Sequence, residues 1–455
     1  MKKTLLHQLL LSTILIFIQI RLPFAQTENF LPSSEGKASQ NSLRDLGRDF
    51  GDRAYQHVSY LSGLGIRKAA SLNEQKAIQY VAVRLQEAGL MVSVEPFEFG
   101  IYEMTEASLT IGGRSYDPAL IGFNPYEDPL GFSGEGLVIR PDQQLEEYGG
   151  PGISESTVIT EVSPNNLAYF RLLPYKPKLV IMLKHEDFQS LSGSDSVNFD
   201  LEVRGKQSKL FSGNVVAKVS KAEQFQDDIL ICAHLDSYKN SPGGDDNGSG
   251  VGVLIELARF FQSQKEALTS NLIFLFPGAE EVGALGARMY LKSHEPELKN
   301  CKLIFNIDRV GGNGETYIEA LGGVRGVPLN GIKYQIPERI ADKAWEGLET
   351  GWILNQPGLI SILQASRRPE WMLDIIQNSI SETGLEASLT GSMGGDSIVF
   401  SQAGIVASGI SRAGSIVHSP LDLASQVRIG SLQECGTLTA SIILNAMRSD
   451  RFQIH

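Results

Sequence analysis

The sequence predicts an α/β protein, a mixed central sheet with helices on both faces, plus a β-rich insertion. Three observations point there. The uninterrupted apolar run at 229–233 reads as a strand buried on both faces, which needs cover above and below, and the largely apolar runs at 271–276 and 301–307 repeat that design. The first run passes through His234-Leu235-Asp236 and a Gly- and Asp-rich loop into Val251, Leu254, Ile255, Leu257 and Ala258, which are spaced as on a helix. The other two end in acids, Glu280-Glu281 and Asp308, so functional side chains gather at the carboxyl ends of buried strands, where open α/β sheets place ligands.

The N-terminus differs from the rest. Lys2 and Lys3 precede a mostly apolar run over 5–20, then Leu22-Pro23-Phe24-Ala25 and the polar Gln26-Thr27-Glu28. This predicts a signal peptide over 1–25 and export, to a periplasm or the medium. No cysteine follows the cleavage region to carry a lipid, and no second apolar run is long enough to span a membrane. Hydrophobic content of 42% and charged content of 20% are those of a soluble globular protein, and 455 residues exceed one small core. Net charge is −12, and −15 once Lys2, Lys3 and Arg21 are removed, which argues against nucleic acid as a partner. Cys232 and Cys301 lie in apolar runs and read as buried thiols; with Cys435 they allow at most one internal bridge, and nothing demands it.

After a polar leader over 26–41, residues 42–90 read as mostly helical. Tyr60, Leu61, Leu64 and Ile66 form a first apolar cluster. Ala77, Ile78, Val81 and Leu85 form a helical stripe ended by Gly89. Residues 90–99 alternate like a strand. Over 101–212 helical periodicity gives way to short β-like runs punctuated by Gly, Pro and Ser, predicting the β-rich insertion. This divides the chain into an N-terminal part of the catalytic domain (26–100), the insertion (101–212) and the main catalytic domain (213–455). Further on, 286–291 and 370–383 read as helices, 313–368 is poorly patterned and holds Trp345 and Trp352, 404–411 reads as a last buried strand, and 431–447 as a C-terminal helix.

His234, Asp246, Glu281, Asp308 and His418 supply two imidazoles and three carboxylates. That donor set suits a pair of zinc ions, which take N or O ligands. Zinc pairs activate water and polarise a carbonyl, which points to hydrolysis. Adjacent Glu280 and Glu281 cannot aim at one ion along the same direction, so one ligates while the other serves as general base. Asp236, two residues after His234, is placed to accept a proton from the free ring nitrogen of that histidine.

The blocks AHLDS (233–237), PGGDDNGSG (242–250), PGAEEVGALG (277–286), NIDRVGG (306–312) and HSPLD (418–422) resemble, in order, those of the family-twenty-eight co-catalytic zinc peptidases. These include aminopeptidases, glutamate carboxypeptidases and glutaminyl cyclases. The resemblance covers residues 55–100 and 213–447. It implies the zinc-dependent exopeptidase fold, with His234 and Asp308 on one zinc, Glu281 and His418 on the other, Asp246 bridging and Glu280 as general base. Asp246 is chosen over Asp245 because the bridging acid of the family stands three residues before the Ser of the SG pair, here Ser249. A cis peptide after that acid and a protease-associated-like insertion are implied too. Two positions depart from the family: Val417 stands where a Tyr often helps hold the tetrahedral intermediate, and Asp396-Ser397 fall in GDSIVF where SDHxPF is usual. Arg309 and Arg412 are candidate substrate contacts. The expected activity is removal of N-terminal residues from peptide substrates. A glutaminyl cyclase, a zinc carboxypeptidase and an inactive receptor-like binding protein on the same scaffold stay open as alternatives.

Overall fold

A computed structural model describes residues 46–118, 120–123, 131–140, 150–153, 156–162, 172, 177–191, 193–220, 228–324, 353–354, 369–393 and 395–449. The signal peptide expected over 1–25 lies outside the described residues, as do Trp345 and Trp352.

Helix α1 (Phe50–Gly63) buries Phe50, Ala54, Val58 and Leu61, one turn apart on a single face. The apolar cluster expected at Tyr60, Leu61, Leu64 and Ile66 is not that face: Tyr60 is 45% and Ile66 42% exposed, and of the four only Leu61 is fully buried. Helix α2 (Leu72–Glu87) opens on Ser71, whose hydroxyl accepts the Glu74 N–H at 3.2 Å. Its stripe of Ala77, Val81 and Leu85 is fully buried, and Gly89 leaves the helix at φ +83°.

The strands are β1 (Met91–Ile111), β2 (Arg114–Tyr116), β3 (Leu120–Phe123), β4 (Gly131–Ile139), β5 (Thr157–Glu161), β6 (Leu179–Leu183), β7 (Ser196–Val219), β8 (Asp228–Cys232), β9 (Asn271–Phe276), β10 (Cys301–Ile307), β11 (Thr316–Val324), β12 (Ile353–Leu354), β13 (Ser388–Ser392) and β14 (Ala407–Arg412). They form one mixed sheet in the order β12-β3-β6-β5-β4-β7-β9-β8-β10-β14-β11-β13, with β1 paired to β2 and β7. The β-rich segment expected over 101–212 consists of β2–β6 with the outer parts of β1 and β7. Both long strands pass unbroken through its expected ends, and its side chains form their own apolar cluster around Ile159, Ile181, Leu201 and Val203.

Alternate residues of the inner strands enter opposite layers. Ile229, Ile231, Phe274, Phe276, Leu303 and Phe305 face the helices α1, α2, α3 (Gly248–Ser263) and α7 (Ile429–Arg448). Leu230, Cys232, Leu275 and Ile304 face α4 (Leu285–Ser293) and α6 (Ser397–Gln402). This two-sided burial is why those runs carry no polar alternation. Helix α5 (Glu370–Thr383) adds Met372 and Ile376 to the first layer. Gly252 lets α3 approach α1 closely, since a Cβ there would stand 2.6 Å from the Ala54 carbonyl oxygen. Cys232 and Cys435 are buried, Cys301 is half-buried, and all three are free thiols. Among the described residues no helix is long and apolar enough to cross a membrane.

Candidate metal centre

Strands β9, β8, β10 and β14 are neighbours and mutually parallel, so their carboxyl ends share one rim. Every candidate ligand is delivered there: His234 just past β8, Asp246 in the loop before α3, Glu280 and Glu281 in a short 3-10 turn past β9, Asp308 directly after β10, and His418 past β14.

Asp246 lies at the middle. Its Oδ1 is 3.4 Å from His234 Nε2, and its Oδ2 is 3.1 Å from His418 Nε2. Asp308 Oδ1 stands 3.5 Å from the same His234 nitrogen, and Glu281 Oε2 3.6 Å from His418 Nε2. Two histidine–carboxylate pairs therefore share one central carboxylate. Donor atoms of His234, Asp246 and Glu281 lie within 4.8 Å of one another. Glu280 Oε2 approaches His234 Nε2 at 3.9 Å, to one side of these pairs.

The backbone explains the aim of each side chain. Asp422, the acid that closes HSPLD, accepts the N–H groups of Asp245 (2.6 Å) and Asp246 (3.2 Å) and the Ser241 hydroxyl (3.2 Å), tying the His418 loop to the Asp246 loop. Gly243 adopts φ +62°, and a Cβ there would meet the Asp246 carbonyl oxygen at 2.5 Å, so only glycine fits that turn. Asn247 caps α3 through the Gly250 N–H and donates to the Ile307 carbonyl, fixing the loop to the end of β10. The Asp246–Asn247 peptide is cis, as the resemblance implied. Asp245 turns away from the centre and accepts the Gly311 N–H at 2.6 Å.

Asp236 holds Glu280 and Glu281 by accepting both their backbone N–H groups. The proton acceptance expected from His234 Nδ1 is not made in this structure: that nitrogen lies 3.5 Å from Asp236 Oδ1 and has no hydrogen-bond partner. Glu74, from the first turn of α2, accepts the N–H of Ala279, a residue in left-handed backbone at φ +55°. His418 also has left-handed backbone (φ +55°), and its half-exposed ring stacks on Tyr238 with centroids 4.4 Å apart.

Burial and crowded charge set the electrostatics. Burial, with Asp396, Asp308 and Asp236 nearby, pushes Glu280 well above the carboxylate range against the pull of His234. Burial and the neighbouring Asp246 and Glu280 do the same to Glu281. His234 is raised although burial opposes it, since Glu280, Asp236, Asp246 and Asp308 all favour its cation. Burial also acts on Asp246, but the two imidazoles outweigh it and hold that carboxyl below its ordinary value. Asp308 Oδ1 and Glu281 Oε1 are buried without hydrogen-bond partners. Orphaned carboxylate oxygens among imidazole nitrogens, in a surplus of buried negative charge, are what divalent zinc satisfies, so the residues present fit it.

At the Asp396-Ser397 departure the two side chains go different ways. Asp396 is fully buried, its oxygens without hydrogen-bond partners, and burial with Asp236 and Asp308 raises it to about 7 against His234. Ser397 turns away to donate to Glu319. Arg412 donates to the Gly314 carbonyl and to Glu434. The other described histidines are engaged elsewhere, His57 with Tyr80 and Glu256, His185 with Glu161, and His294 with Glu95. Sequence reasoning missed Arg67, Glu74, Tyr238 and Asp422. Tyr238 and Asp422 lie within or beside the recognised blocks, whereas Arg67 and Glu74 carry no local signal.

Fold and site together define an α/β protein with a candidate metal site at the carboxyl rim of its sheet. Residues 214–331 match the model of peptidase family M28. Aminopeptidase YwaD of Bacillus subtilis is 28% identical over 331 residues, covering 65% of this chain and 70% of that protein. A probable lipoprotein aminopeptidase, LpqL of Mycobacterium tuberculosis, is 24% identical, covering 61% of this chain and 62% of its own, so this chain spans under two thirds of that relative. The fold matches that of an aminopeptidase from Aneurinibacillus sp. strain AM-1 (TM-score 0.63, 19% identity, 92% of this chain and 98% of that one). It also matches a zinc aminopeptidase from Bacillus subtilis (TM-score 0.53, 20% identity, 89% and 96%).

Proposed function

We propose that the chain is an exported di-zinc aminopeptidase that removes N-terminal residues from peptides. The observation that carries the reading is the division of Asp246: one carboxylate oxygen faces the His234–Asp308 pair and the other the His418–Glu281 pair. In this reading His234 and Asp308 hold one zinc, His418 and Glu281 the other, and Asp246 bridges. When bound, the pair supplies water activation and carbonyl polarisation.

Glu280 carries the proton. It is buried and stands beside the donor set without being central to it, and its neighbours keep its proton affinity high. A carboxylate so placed takes the proton of the attacking water and returns it to the departing amine. Asp236 keeps that carboxylate in place through the Glu280 and Glu281 N–H groups. Export rests on the N-terminal pattern and agrees with a relative named as a lipoprotein aminopeptidase.

The test combines metal analysis with blocked substrates. Purified protein should hold two zinc per chain and cleave a peptide with a free amino terminus, but not its N-acetylated form. Glu280→Gln should keep its zinc and lose about 10²–10⁴-fold in kcat. Cleavage only from the carboxyl end, cyclisation of N-terminal Gln without cleavage, or a zinc-free active protein would each refute the proposal.

A further inference from the structure

Arg309 lies beside the metal centre, and among the described residues its Nε makes no hydrogen bond. Its backbone is clamped from both sides: the N–H donates to Asn247 Oδ1 at 3.3 Å, and the carbonyl accepts the Arg412 N–H at 2.7 Å and the Ser411 hydroxyl at 3.3 Å. Its backbone is left-handed (φ +53°), and its side chain is 30% exposed. Its Nε is buried and forms a loose ion pair with Asp308 Oδ2 at 3.9 Å, beyond hydrogen-bond reach, and among the described residues it makes no hydrogen bond. The contrast with Arg67 and Arg412 is sharp, since both of those donate to named carbonyl or carboxylate oxygens. A guanidinium carries its charge at any working pH. A planar guanidinium beside the metal centre that makes no hydrogen bond through Nε to the described residues matches one chemical group best: a carboxylate, which it binds two-pronged.

We propose that Arg309 is a specificity-determining residue that receives a carboxylate of the substrate, either the side chain of an N-terminal Asp or Glu or the free α-carboxylate of a dipeptide. This rests on the aminopeptidase reading. Two substrate pairs separate the sources: glutamyl against leucyl anilide, and the dipeptide Leu-Leu against its amide. Zinc-loaded wild type should favour the carboxylate-bearing member of one pair. Arg309→Met should lower kcat/KM for that member by roughly 10–100-fold, through KM, with the other pair changed little. Arg309→Lys, which keeps the charge and loses the fork, should restore part of it.

Zinc content and thermal midpoint equal to wild type establish that the variants are folded. Should Arg309→Met fail that check, Arg309→Lys carries the comparison, with a partial loss confined to the same substrate. An equal fall in kcat on all four substrates would make Arg309 a contact to the reacting oxygen or a structural residue, and would overturn the assignment. Unchanged discrimination in the variants would overturn it too, with the peptidase reading intact. If zinc-loaded wild type cleaves none of the four, the peptidase reading fails and this assignment with it.

Discussion

Asp236 Oδ1 accepts the backbone N–H of Glu280 at 2.9 Å, while Oδ2 accepts the next N–H, that of Glu281, at 3.0 Å. One carboxylate from the end of β8 thus sets the direction of both acids past β9. Removing it leaves two buried N–H groups unpaired, at about 1–3 kcal/mol each. Asp236→Ala should lower the urea midpoint accordingly and cost roughly 10–100-fold in kcat by loosening Glu280 and Glu281. Asp236→Asn, keeping one acceptor oxygen, should fall between. A variant as stable and active as wild type would contradict the role given to this carboxylate.

Arg67 is fully buried and joins the α1–α2 turn to the metal-site loop. Its Nε donates to the Leu235 carbonyl (3.0 Å), Nη1 to those of Leu61 (3.1 Å) and Pro242 (2.6 Å), and Nη2 to that of Gly243 (3.0 Å). Burial lowers its pKa to about 10, although Asp236, Asp422, Asp246 and Glu281 resist the fall. Arg67→Met leaves four buried carbonyls and several acids without their cation, a change worth about 3–5 kcal/mol. Equilibrium denaturation should show that loss, and metal analysis should show reduced zinc retention.

The contrast between Arg67 and His234 explains which parts of the site were legible in the sequence. His234, Glu281, Asp308 and His418 each follow an apolar run and Asp246 stands in a Gly-rich loop, so local pattern drew attention to them, while the family resemblance chose Asp246 over Asp245 and Glu281 over Glu280 as ligands. Arg67 acts across more than 160 residues of chain, on carbonyls that any residue type would present. Strand β11 went unseen for a related reason. It carries Glu319 and a Gly pair, which read as non-strand, yet Glu319 is buried and accepts the Met393 N–H and the Ser397 hydroxyl. Strand β1 was legible only to Phe99. Its outer half is sustained by pairing with β7 rather than by its own alternation.

Tyr238 should govern one half of the centre more than the other. Its ring stacks on that of His418 at an interplanar angle of 18°, and His418 is the most exposed of the five candidate ligands, at 46%. Tyr238→Ala frees that imidazole to turn and should weaken zinc at the His418–Glu281 pair by roughly 10–100-fold, while the His234–Asp308 pair keeps its affinity. Tyr238→Phe, which preserves the stack, should behave as wild type. Chelator competition resolves the two sites, and an equal loss from both would refute the idea.

Glu74 makes stability depend on pH in a defined direction. Its Oε1 accepts the Ser212 hydroxyl and the Ala279 N–H, and its Oε2 accepts the Ala70 N–H. Burial first and the charge of Asp236 second raise its pKa from 4.5 to about 8, against those hydrogen bonds. Below the unfolded value both states hold the proton, and its contribution to stability is complete. Between 4.5 and about 8 the unfolded chain has released the proton while the folded one keeps it, so stability falls as pH rises. The fall is at most about 1.4 kcal/mol per pH unit and ends once pH has passed the folded value. Glu74→Gln cannot ionise and lacks this slope. Urea midpoints of zinc-stripped wild type and variant, compared from pH 5 to 9, should therefore diverge up to about pH 8, with wild type losing ground to the variant, and run parallel above it. Curves parallel throughout would mean that Glu74 folds as a carboxylate, its charge held by the three donors alone.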